Sequence, residues 1–331
     1  MNQILVAVGQ TVEAFERING DWTNRNHDFS SQVETIAVHP EQPKRLFVGS
    51  FSDGLFCSTD GGENFEQIGH DMIAGAITHV TIDPSDPETI LCGTEPSAIY
   101  RSTDAGRTWK KMDGLTAVPS ADHWSFPPRP DTHHVRWVEI APDDPDRWYV
   151  GIEAGALVMT TDGGETWIDR PSGSRRDNHT LATHAAVPDR IYSAAGDGYA
   201  ESTDGGETWQ EMLDGLDHRY VWGLAVDPGN PDTRIVSAAS GASQAHGHQR
   251  AESYLYRRQG NEQWHRVQSD SLQTGSGIPR AVLTNGTGAG SFIAATSQGV
   301  FSSHTAGDTW EPIASWEGRY DTDSPRAIAV V

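Results

Sequence analysis

Short apolar segments recur along the chain in groups of four, separated by turns rich in proline, glycine and aspartate. The first complete group predicts strands at residues 33–38, 46–50, 55–59 and 64–68. Runs of this length, rich in β-branched and aromatic residues and bounded by such turns, are typical of antiparallel strands. A proline link follows the first member of several groups, and because proline cannot donate to a β-ladder it marks the end of that strand. The pattern therefore predicts repeated four-stranded sheets.

An octapeptide follows the third segment of most groups. It stands at residues 58–65, 102–109, 160–167 and 202–209, with a degraded copy at 303–310, while 257–264 keeps only the tryptophan. Its aspartate can accept hydrogen bonds inside a tight turn while its aromatic residue covers an apolar layer, which gives a structural role to Asp60, Asp104, Asp162 and Asp204. These aspartates are 44, 58 and 42 residues apart, close to the roughly 40–50 residues of a propeller blade, and the longest interval indicates an insertion.

The repeats predict a single all-β domain over residues 1–331, a seven-bladed β-propeller. Its blades are expected near 33–76, 77–134, 135–178, 179–218, 219–275 and 276–318, with a seventh made from 319–331 together with 1–32. The last strand, near 326–331, has no partners after it, and strands at 4–8, 12–16 and 19–22 supply them. The two chain ends should therefore close the ring in one shared blade, which removes exposed strand edges.

The octapeptide resembles the Asp-box, or BNR, signature S/T-x-D-x-G-x-T-W/F. Proteins with this signature include sialidases, xyloglucan-active glycosidases, sortilin-like receptors and photosystem assembly factors. The resemblance implies the propeller fold and leaves two classes of function open, a carbohydrate-active enzyme and a non-enzymatic propeller that holds a protein. Sialidase activity is not expected, because the arginine spacing departs from the sialidase order and the usual Arg-Ile-Pro start is missing.

The chain is strongly acidic, with 46 acidic and 24 basic residues and a formal net charge of -22. This charge disfavours nucleic acid and anionic membranes as partners. Only Lys44, Lys110 and Lys111 are lysines, which suggests a salt-adapted, haloarchaeal-type surface. The two cysteines are too few for a disulfide scaffold, and the chain has neither a signal-peptide pattern nor an apolar run of the roughly 20 residues that span a membrane. We expect a cytoplasmic protein.

Candidate chemistry gathers on the face opposite the octapeptide turns, which we call the top face. The two long insertions, 113–134 and 240–252, fall on this face. Aligning the first strands of the blades brings together at the channel mouth Glu34, Thr78, Arg136, Ala182, Trp222, Arg280 and Arg326. One hypothesis is an anion clamp of Arg136, Arg280 and Arg326, with Trp137 and Trp222 as stacking surfaces; an equally weighted one is an Arg–Glu network that fills the channel.

Acidic and imidazole side chains in the same region suggest two reactions. Glu34, Glu95 and Glu153 are candidates for the carboxylate pair of glycoside hydrolysis. The candidate histidines are His79, His134 and His184, joined by His246 and His248 from the long loop. A neutral histidine beside an arginine could instead remove the proton next to a uronate carboxylate, as in a lyase.

The expected ligand is thus a small anion or carbohydrate, with a protein partner on the top face as the alternative. No cofactor is expected. No metal is expected either, because His134, His184, His246 and His248 lack compact metal-binding spacing.

Overall fold

The computed structural model of the protein describes residues 3–316, 318–320 and 323–331, except for the side chain of His248. Over these residues the chain forms seven antiparallel sheets, which we number as blades 1 to 7. The innermost strand of each blade contacts that of the next, and blade 6 contacts blade 7, which contacts blade 1. The sheets therefore form a closed ring, and the predicted seven-bladed β-propeller is confirmed.

The strands of each blade run outward from the central channel. Blades 1 to 3 are Val33–His39, Gln42–Ser50, Gly54–Ser58 and Glu66–Ile68; Ala76–Asp83, Asp86–Glu95, Ile99–Ser102 and Lys110–Met112; and Val135–Ala141, Asp144–Ile152, Ala156–Thr160 and Ile168–Asp169. Blades 4 to 6 are Asn178–Thr183, Ile191–Ala195, Gly198–Ser202 and Gln210–Glu211; Tyr220–Asp227, Asn230–Ala239, Glu252–Gln259 and His265–Arg266; and Val282–Asn285, Phe292–Thr296, Gly299–Ser303 and Glu311–Ser315. Gly275–Ser276 adds a short strand to blade 5.

Blade 7 joins the two chain ends. It consists of Pro325–Val330, Gln3–Val8, Thr11–Ile18 and Asp21–Asp28. Ile4 pairs with Val330 and Val8 with Pro325, so the final strand becomes the innermost one. The closure predicted from the unpartnered last strand is confirmed, and the outermost strand extends beyond the predicted 19–22.

The insertions carry the helical segments among the described residues. Short 3₁₀ turns at Leu115–Ala117 and Ala121–His123 lie in the first insertion, and the helix Ala242–His246 and the turn His248–Arg250 lie in the second. No helix in these ranges is long and apolar enough to cross a membrane.

The octapeptide turns are held by their aspartates. Oδ1 of Asp162 accepts hydrogen bonds from Thr160 Oγ1 at 2.7 Å and from the Thr166 amide at 2.8 Å, and Oδ2 accepts one from Thr166 Oγ1 at 2.5 Å. The side-chain and backbone bonds from Thr166, with that from Thr160, lower the pKa of Asp162 to about 2. Equivalent bonds from Ser58, Ser102 and Ser202 hold the other three aspartates: Asp60, Asp104 and Asp204. An ionised carboxylate is therefore part of each turn.

The hydrophobic core is divided into layers between neighbouring blades. Leu91 and Ile99 of blade 2, for example, are buried in one cluster with Val138 and Val150 of blade 3. Fully buried layers of this kind supply the apolar surface that stabilises the ring.

Glycines in second strands let adjacent blades approach closely. A Cβ atom added to Gly93 would lie 2.5 Å from Cγ1 of Val135 in the next blade, and one added to Gly151 would lie 2.8 Å from Cβ of Asn178. At these positions the neighbouring inner strand packs directly on the glycine backbone.

Candidate functional site

The top of the channel is shaped by a repeated irregularity of the inner strands. In blades 1 to 5 the pairing register shifts at the second or third residue of the inner strand. The residues skipped by the ladder are Glu34, Thr78, Arg136, His179 and Trp222. A bulge redirects the side chain of its extra residue. The side chains at these five positions therefore do not follow the regular alternation between the two faces of the strand.

Most of these residues line a cavity of about 850 Å³ on the top face. Arg280 and Arg326 of blades 6 and 7 complete its floor. Its rim comes from both insertions, with Phe126, Pro127, Pro128 and Arg129 from the first and Ala242, Ser243 and His246 from the second. The cavity is within the size range of small-ligand sites.

Trp222 stands at the centre of the cationic cluster. The guanidinium carbon of Arg280 lies 4.3 Å from its ring centroid and that of Arg136 lies 4.7 Å away. The rings of His179 and His246 lie 4.3 and 4.4 Å from Trp222, respectively. The indole thus holds two guanidinium groups by cation–π attraction, and little of its surface is left for a ligand to stack on.

Arg280 is the least compensated of the cavity arginines. It is 4% exposed, its Nη1 donates to the Pro325 carbonyl at 2.8 Å, and its Nε donates to His246 Nδ1 at 3.2 Å. No carboxylate of the described residues lies within ion-pair distance of it. Burial, with the positive charges of Arg326 and Arg136, lowers its pKa to about 9. A negative charge beside Arg280 would relieve this strain.

The other two predicted clamp arginines each have an acidic neighbour. Nη1 of Arg326 donates to Oε2 of Glu34 at 2.9 Å, and Nε of Arg136 lies 3.6 Å from Oε2 of Glu153. The structure therefore contains elements of both hypotheses: a partial Arg–Glu network together with one arginine that lacks an acidic partner.

The predicted carboxylates are engaged with basic groups. Glu95 accepts two hydrogen bonds from Arg129, at 2.7 and 2.6 Å. His134 lies between the carboxylates, with Nε2 3.0 Å from Glu153 and Nδ1 3.6 Å from Glu95. Burial opposes ionisation of Glu153, but the His134 hydrogen bond and the charges of His179, His134 and Arg136 outweigh it and lower the pKa of Glu153 to about 2.

His246 connects Arg280 to a phenol. Since its Nδ1 accepts from Arg280, its Nε2 carries the ring proton and faces the Tyr220 hydroxyl oxygen at 3.2 Å. Desolvation and the charge of Arg280 lower the pKa of His246, and burial raises that of Tyr220. A neutral imidazole and a neutral phenol thus lie beside the guanidinium.

Two other predicted residues lie deeper in the channel. The ring centroids of His79 and Trp137 lie 4.6 Å apart, and both residues line a second cavity of about 640 Å³ below the first. Burial and the charge of Arg136 lower the pKa of His79 to about 3. Nε1 of Trp137 donates to Glu139 at 3.0 Å, and burial raises the pKa of this half-buried carboxyl to about 6.

His184 does not line the top-face cavity, although it lines the cavity below it together with His79 and Trp137. It follows the inner strand of blade 4 at the end away from the top face, where Nδ1 accepts from the Ala186 amide and Nε2 donates to the Asp227 carbonyl at 3.1 Å. These bonds join the turn of blade 4 to that of blade 5. The side chain of His248 lies outside the described residues.

His179 is a cavity-region residue that the sequence alignment missed. The alignment placed Ala182 at this level, three residues too late. The error arose because the polar residues Asn178 and Thr180 read as a loop, whereas Asn178 is buried through hydrogen bonds with Arg175 and Ser193. Counting back from the octapeptides would have found it, since the bulge residue precedes the box aspartate by 26 residues in blades 1 to 3 and by 25 in blade 4.

The repeats match a known family of short motifs. Residues 100–111 and 200–211 match the BNR/Asp-box repeat. With the ring of sheets, this match defines the class: the protein is a seven-bladed β-propeller with BNR/Asp-box repeats. No curated protein sequence matches the chain.

Solved structures share the fold at low sequence identity. An ancestral GH74 enzyme has a TM-score of 0.67 and 16% identity over 86% of this chain and 39% of its own. The GH74 enzyme of Niastella koreensis has a TM-score of 0.67 and 17% identity over 93% of this chain and 54% of its own. YCF48 bound to D1 peptide has a TM-score of 0.57 and 13% identity over 85% and 81%. The chain thus spans about half or less of the length of these two GH74 enzymes.

Proposed function

We propose that the protein is a carbohydrate-active propeller that binds an acidic sugar in the top-face cavity. The observation that carries the proposal is Arg280, a buried guanidinium with no acidic partner among the described residues. A buried cation of this kind is costly for the fold, and a ligand carboxylate would compensate it with charge-assisted hydrogen bonds.

The surroundings of Arg280 favour a ligand with a carboxylate and several hydroxyl groups. Arg136 lies on the same indole as Arg280 and can approach the same anion. Around them the cavity offers polar groups of different kinds, including Tyr220, Asp177 and Ser243. The cavity volume of about 850 Å³ is much larger than a simple inorganic anion and can accommodate a short oligosaccharide. The fold likeness to GH74 enzymes supports the carbohydrate class.

Of the two candidate reactions, the geometry supports elimination over hydrolysis. Hydrolysis requires a protonated carboxylic acid, whereas Glu34, Glu95 and Glu153 each accept a hydrogen bond from a basic partner. Elimination requires a cation at the substrate carboxylate together with a proton acceptor and a proton donor. Arg280 is the cation and the Tyr220 hydroxyl is a donor, while Nδ1 of His246 becomes the acceptor once Arg280 turns from it to the substrate carboxylate.

In this reaction a base takes the C5 proton of a uronate, the C4–O bond breaks, and the electron pair forms a C4=C5 double bond. The departing oxygen receives a proton, for which the Tyr220 hydroxyl is the candidate donor. Protons and electrons balance without an oxidant or reductant. Incubation with polyuronides should therefore produce ultraviolet-absorbing unsaturated ends; new reducing ends without this absorbance would indicate hydrolysis instead.

The binding proposal is tested by calorimetric titration with galacturonate and glucuronate, with glucose as the neutral comparison. The titrations are made at low and at molar KCl, because the predicted salt-adapted surface would need high salt for the protein to be stable. Replacing Arg280→Met should weaken uronate binding by about 10- to 100-fold, because it removes charge-assisted hydrogen bonds of roughly 1.5–3 kcal/mol. The matched control is Arg257→Met, at an arginine of the third strand of blade 5 that pairs with Asp308 and lies outside the top-face cavity. Equal binding of glucose and uronate, or unchanged uronate binding by Arg280→Met, would contradict the proposal.

A protein partner is the second candidate, supported by the cavity rim. Phe51 and Phe126 are partly exposed there, and Pro127 and Pro128 are exposed beside them. An apolar rim around a cationic floor would suit a peptide with an acidic side chain or a free carboxylate. Peptide binding is the better explanation if uronates do not bind, while an acidic peptide binds and its affinity falls when Arg280 or Phe126 is replaced.

A further inference from the structure

Three potential metal ligands meet at the edge of the top-face cavity. Glu153 follows the second strand of blade 3, Asp177 precedes the inner strand of blade 4, and His179 occupies the bulge of that strand. Nε2 of His179 lies 3.6 Å from Oδ1 of Asp177 and 4.0 Å from Oε1 of Glu153. The three ligand atoms all lie within 4.8 Å of one another.

The orientation of His179 is fixed by its other ring nitrogen. Nδ1 lies 2.7 Å from the Val221 carbonyl oxygen and must donate a proton to it. In a neutral ring Nε2 then carries a lone pair, which faces the two carboxylates. The side chain is fully buried, and Nε2 has no hydrogen-bond partner within the described part of the chain. The lone pair of Nε2 and the two carboxylates are all negative or electron-rich and face one another in a buried site. A cation bound between them would compensate all three groups.

We propose that Glu153, Asp177 and His179 bind a divalent first-row transition metal such as Mn²⁺ or Zn²⁺. One imidazole and two carboxylates are a ligand set that these ions accept. Metal–ligand distances of about 2.0–2.2 Å require the ligand atoms to move together by only a few tenths of an ångström to roughly one ångström. With three protein ligands, the ion keeps open positions toward the cavity, which Glu153 and Asp177 line.

The groups behind the ligands are arranged as in protein metal sites. The Val221 carbonyl orients His179, the Ala154 amide donates to Oδ1 of Asp177 at 2.7 Å, and His134 lies 3.0 Å from Oε2 of Glu153. Such outer contacts fix ligand direction and tautomer. Arg136, 3.6 Å from Glu153, is the cationic neighbour that moderates the affinity.

This site differs from the histidine set considered from the sequence. His184 lies at the opposite end of its strand, and His134 reaches the cluster only through Glu153. The proposal does not depend on the binding of an acidic sugar, so metal binding and uronate binding are separate measurements.

The test is a titration of the chelator-treated 331-residue chain with Mn²⁺, followed by the electron paramagnetic resonance signal of the free ion. KCl at molar concentration suppresses weak binding by the many surface carboxylates. We expect one tightly bound Mn²⁺ per chain. Asp177→Asn, which keeps an oxygen to accept from the Ala154 amide, should weaken that binding at least about 10-fold.

Two further variants make the test specific. His179→Asn should also lose the tight Mn²⁺, and Asp189→Asn should keep it, because Asp189 is an exposed carboxylate of the same blade paired with Arg147. Circular dichroism and melting of each metal-free variant establish that it is folded; if His179→Asn does not fold, Asp177→Asn decides alone. The proposal is overturned if neither Mn²⁺ nor Zn²⁺ binds wild-type protein stoichiometrically, or if folded Asp177→Asn binds as tightly as wild type.

Discussion

Two buried arginines should respond to the same substitution with opposite changes in stability. Arg280 is 4% exposed and lacks an acidic partner in the described part of the chain, whereas Arg234 is fully buried with Nη2 2.5 Å from Glu201. Methionine is similar in length and carries no charge. We expect Arg280→Met to stabilise the ligand-free protein and Arg234→Met to destabilise it.

The magnitude for Arg280 follows from its electrostatic environment. A pKa lowered from 12.5 to about 9 means that carrying the charge costs the folded state roughly 5 kcal/mol, at about 1.4 kcal/mol per pKa unit. The methionine variant forfeits hydrogen bonds to the Pro325 carbonyl and to His246, worth about 1 kcal/mol each. The difference predicts a gain of a few kcal/mol in the free energy of unfolding.

For Arg234 the balance is reversed. Its Nη1 also donates to the Asp232 carbonyl at 2.6 Å, and its removal leaves the buried Glu201 with Arg190 as its remaining guanidinium partner. Breaking one side of a buried ion pair costs about 3–5 kcal/mol. The two variants therefore distinguish an arginine that stabilises the fold, Arg234, from one that destabilises it in the absence of a ligand, Arg280.

The assay is urea unfolding at neutral pH, followed by tryptophan fluorescence and by circular dichroism, in buffer free of uronate and multivalent anions. Coincident transitions by the two probes permit a two-state free energy. A loss of 2 kcal/mol or more in Arg280→Met would show that the guanidinium is satisfied within the ligand-free cavity, and it would refute the reasoning.

Three further predictions follow from single contacts. Uronate affinity should be constant near neutral pH and fall about tenfold per pH unit above pH 9, because only the charged form of Arg280 attracts the anion; calorimetry across this range checks it. Gly93→Ala should destabilise the protein by about 1–3 kcal/mol through its clash with Val135, and adding Val135→Ala should cost less than the sum of the two single changes in urea unfolding. The pKa of Glu139 is raised from 4.5 to about 6, so its contribution to stability is present below pH 4.5 and is lost as the pH rises through 6; relative to Glu139→Gln, the wild type should lose up to about 2 kcal/mol between these conditions.

Sequence reasoning recovered the fold because the information that specifies it is local. Each intact octapeptide contains both the aspartate and the side chains that hydrogen-bond to it, as in the Asp162 turn with Thr160 and Thr166. The spacing of such turns gives the length of a blade, and the strand pattern between and beyond them gives the remaining blades. Ring closure followed from a strand without partners, and the pairing of Ile4 with Val330 supplies them.

The sequence placed side chains at the channel mouth correctly only in blades whose inner strand could be aligned with the others without ambiguity. Arg136, Arg280, Arg326 and Trp222 were predicted at the channel mouth, and all line the top-face cavity. Distances between side chains were beyond the reach of the sequence, because they depend on inter-blade packing. The ion pair between Arg129 and Glu95 is an example: it joins an insertion loop to another blade and leaves no periodic signal.

The inner-strand bulges explain both the chemistry of the site and the failure to align blade 4. A hydrophobic pattern of period two locates a strand, but an extra residue breaks that period, so the pattern fails at the position whose side chain is redirected. In blade 4 the residues around the bulge are polar and buried, which conceals the strand start and with it His179. The bulge position holds glutamate, threonine, arginine, histidine and tryptophan in successive blades, while the turns and cores around it repeat. One residue per blade can therefore change the cavity without changing the scaffold, and the distance from the Asp-box aspartate is a better guide to that residue than hydrophobicity.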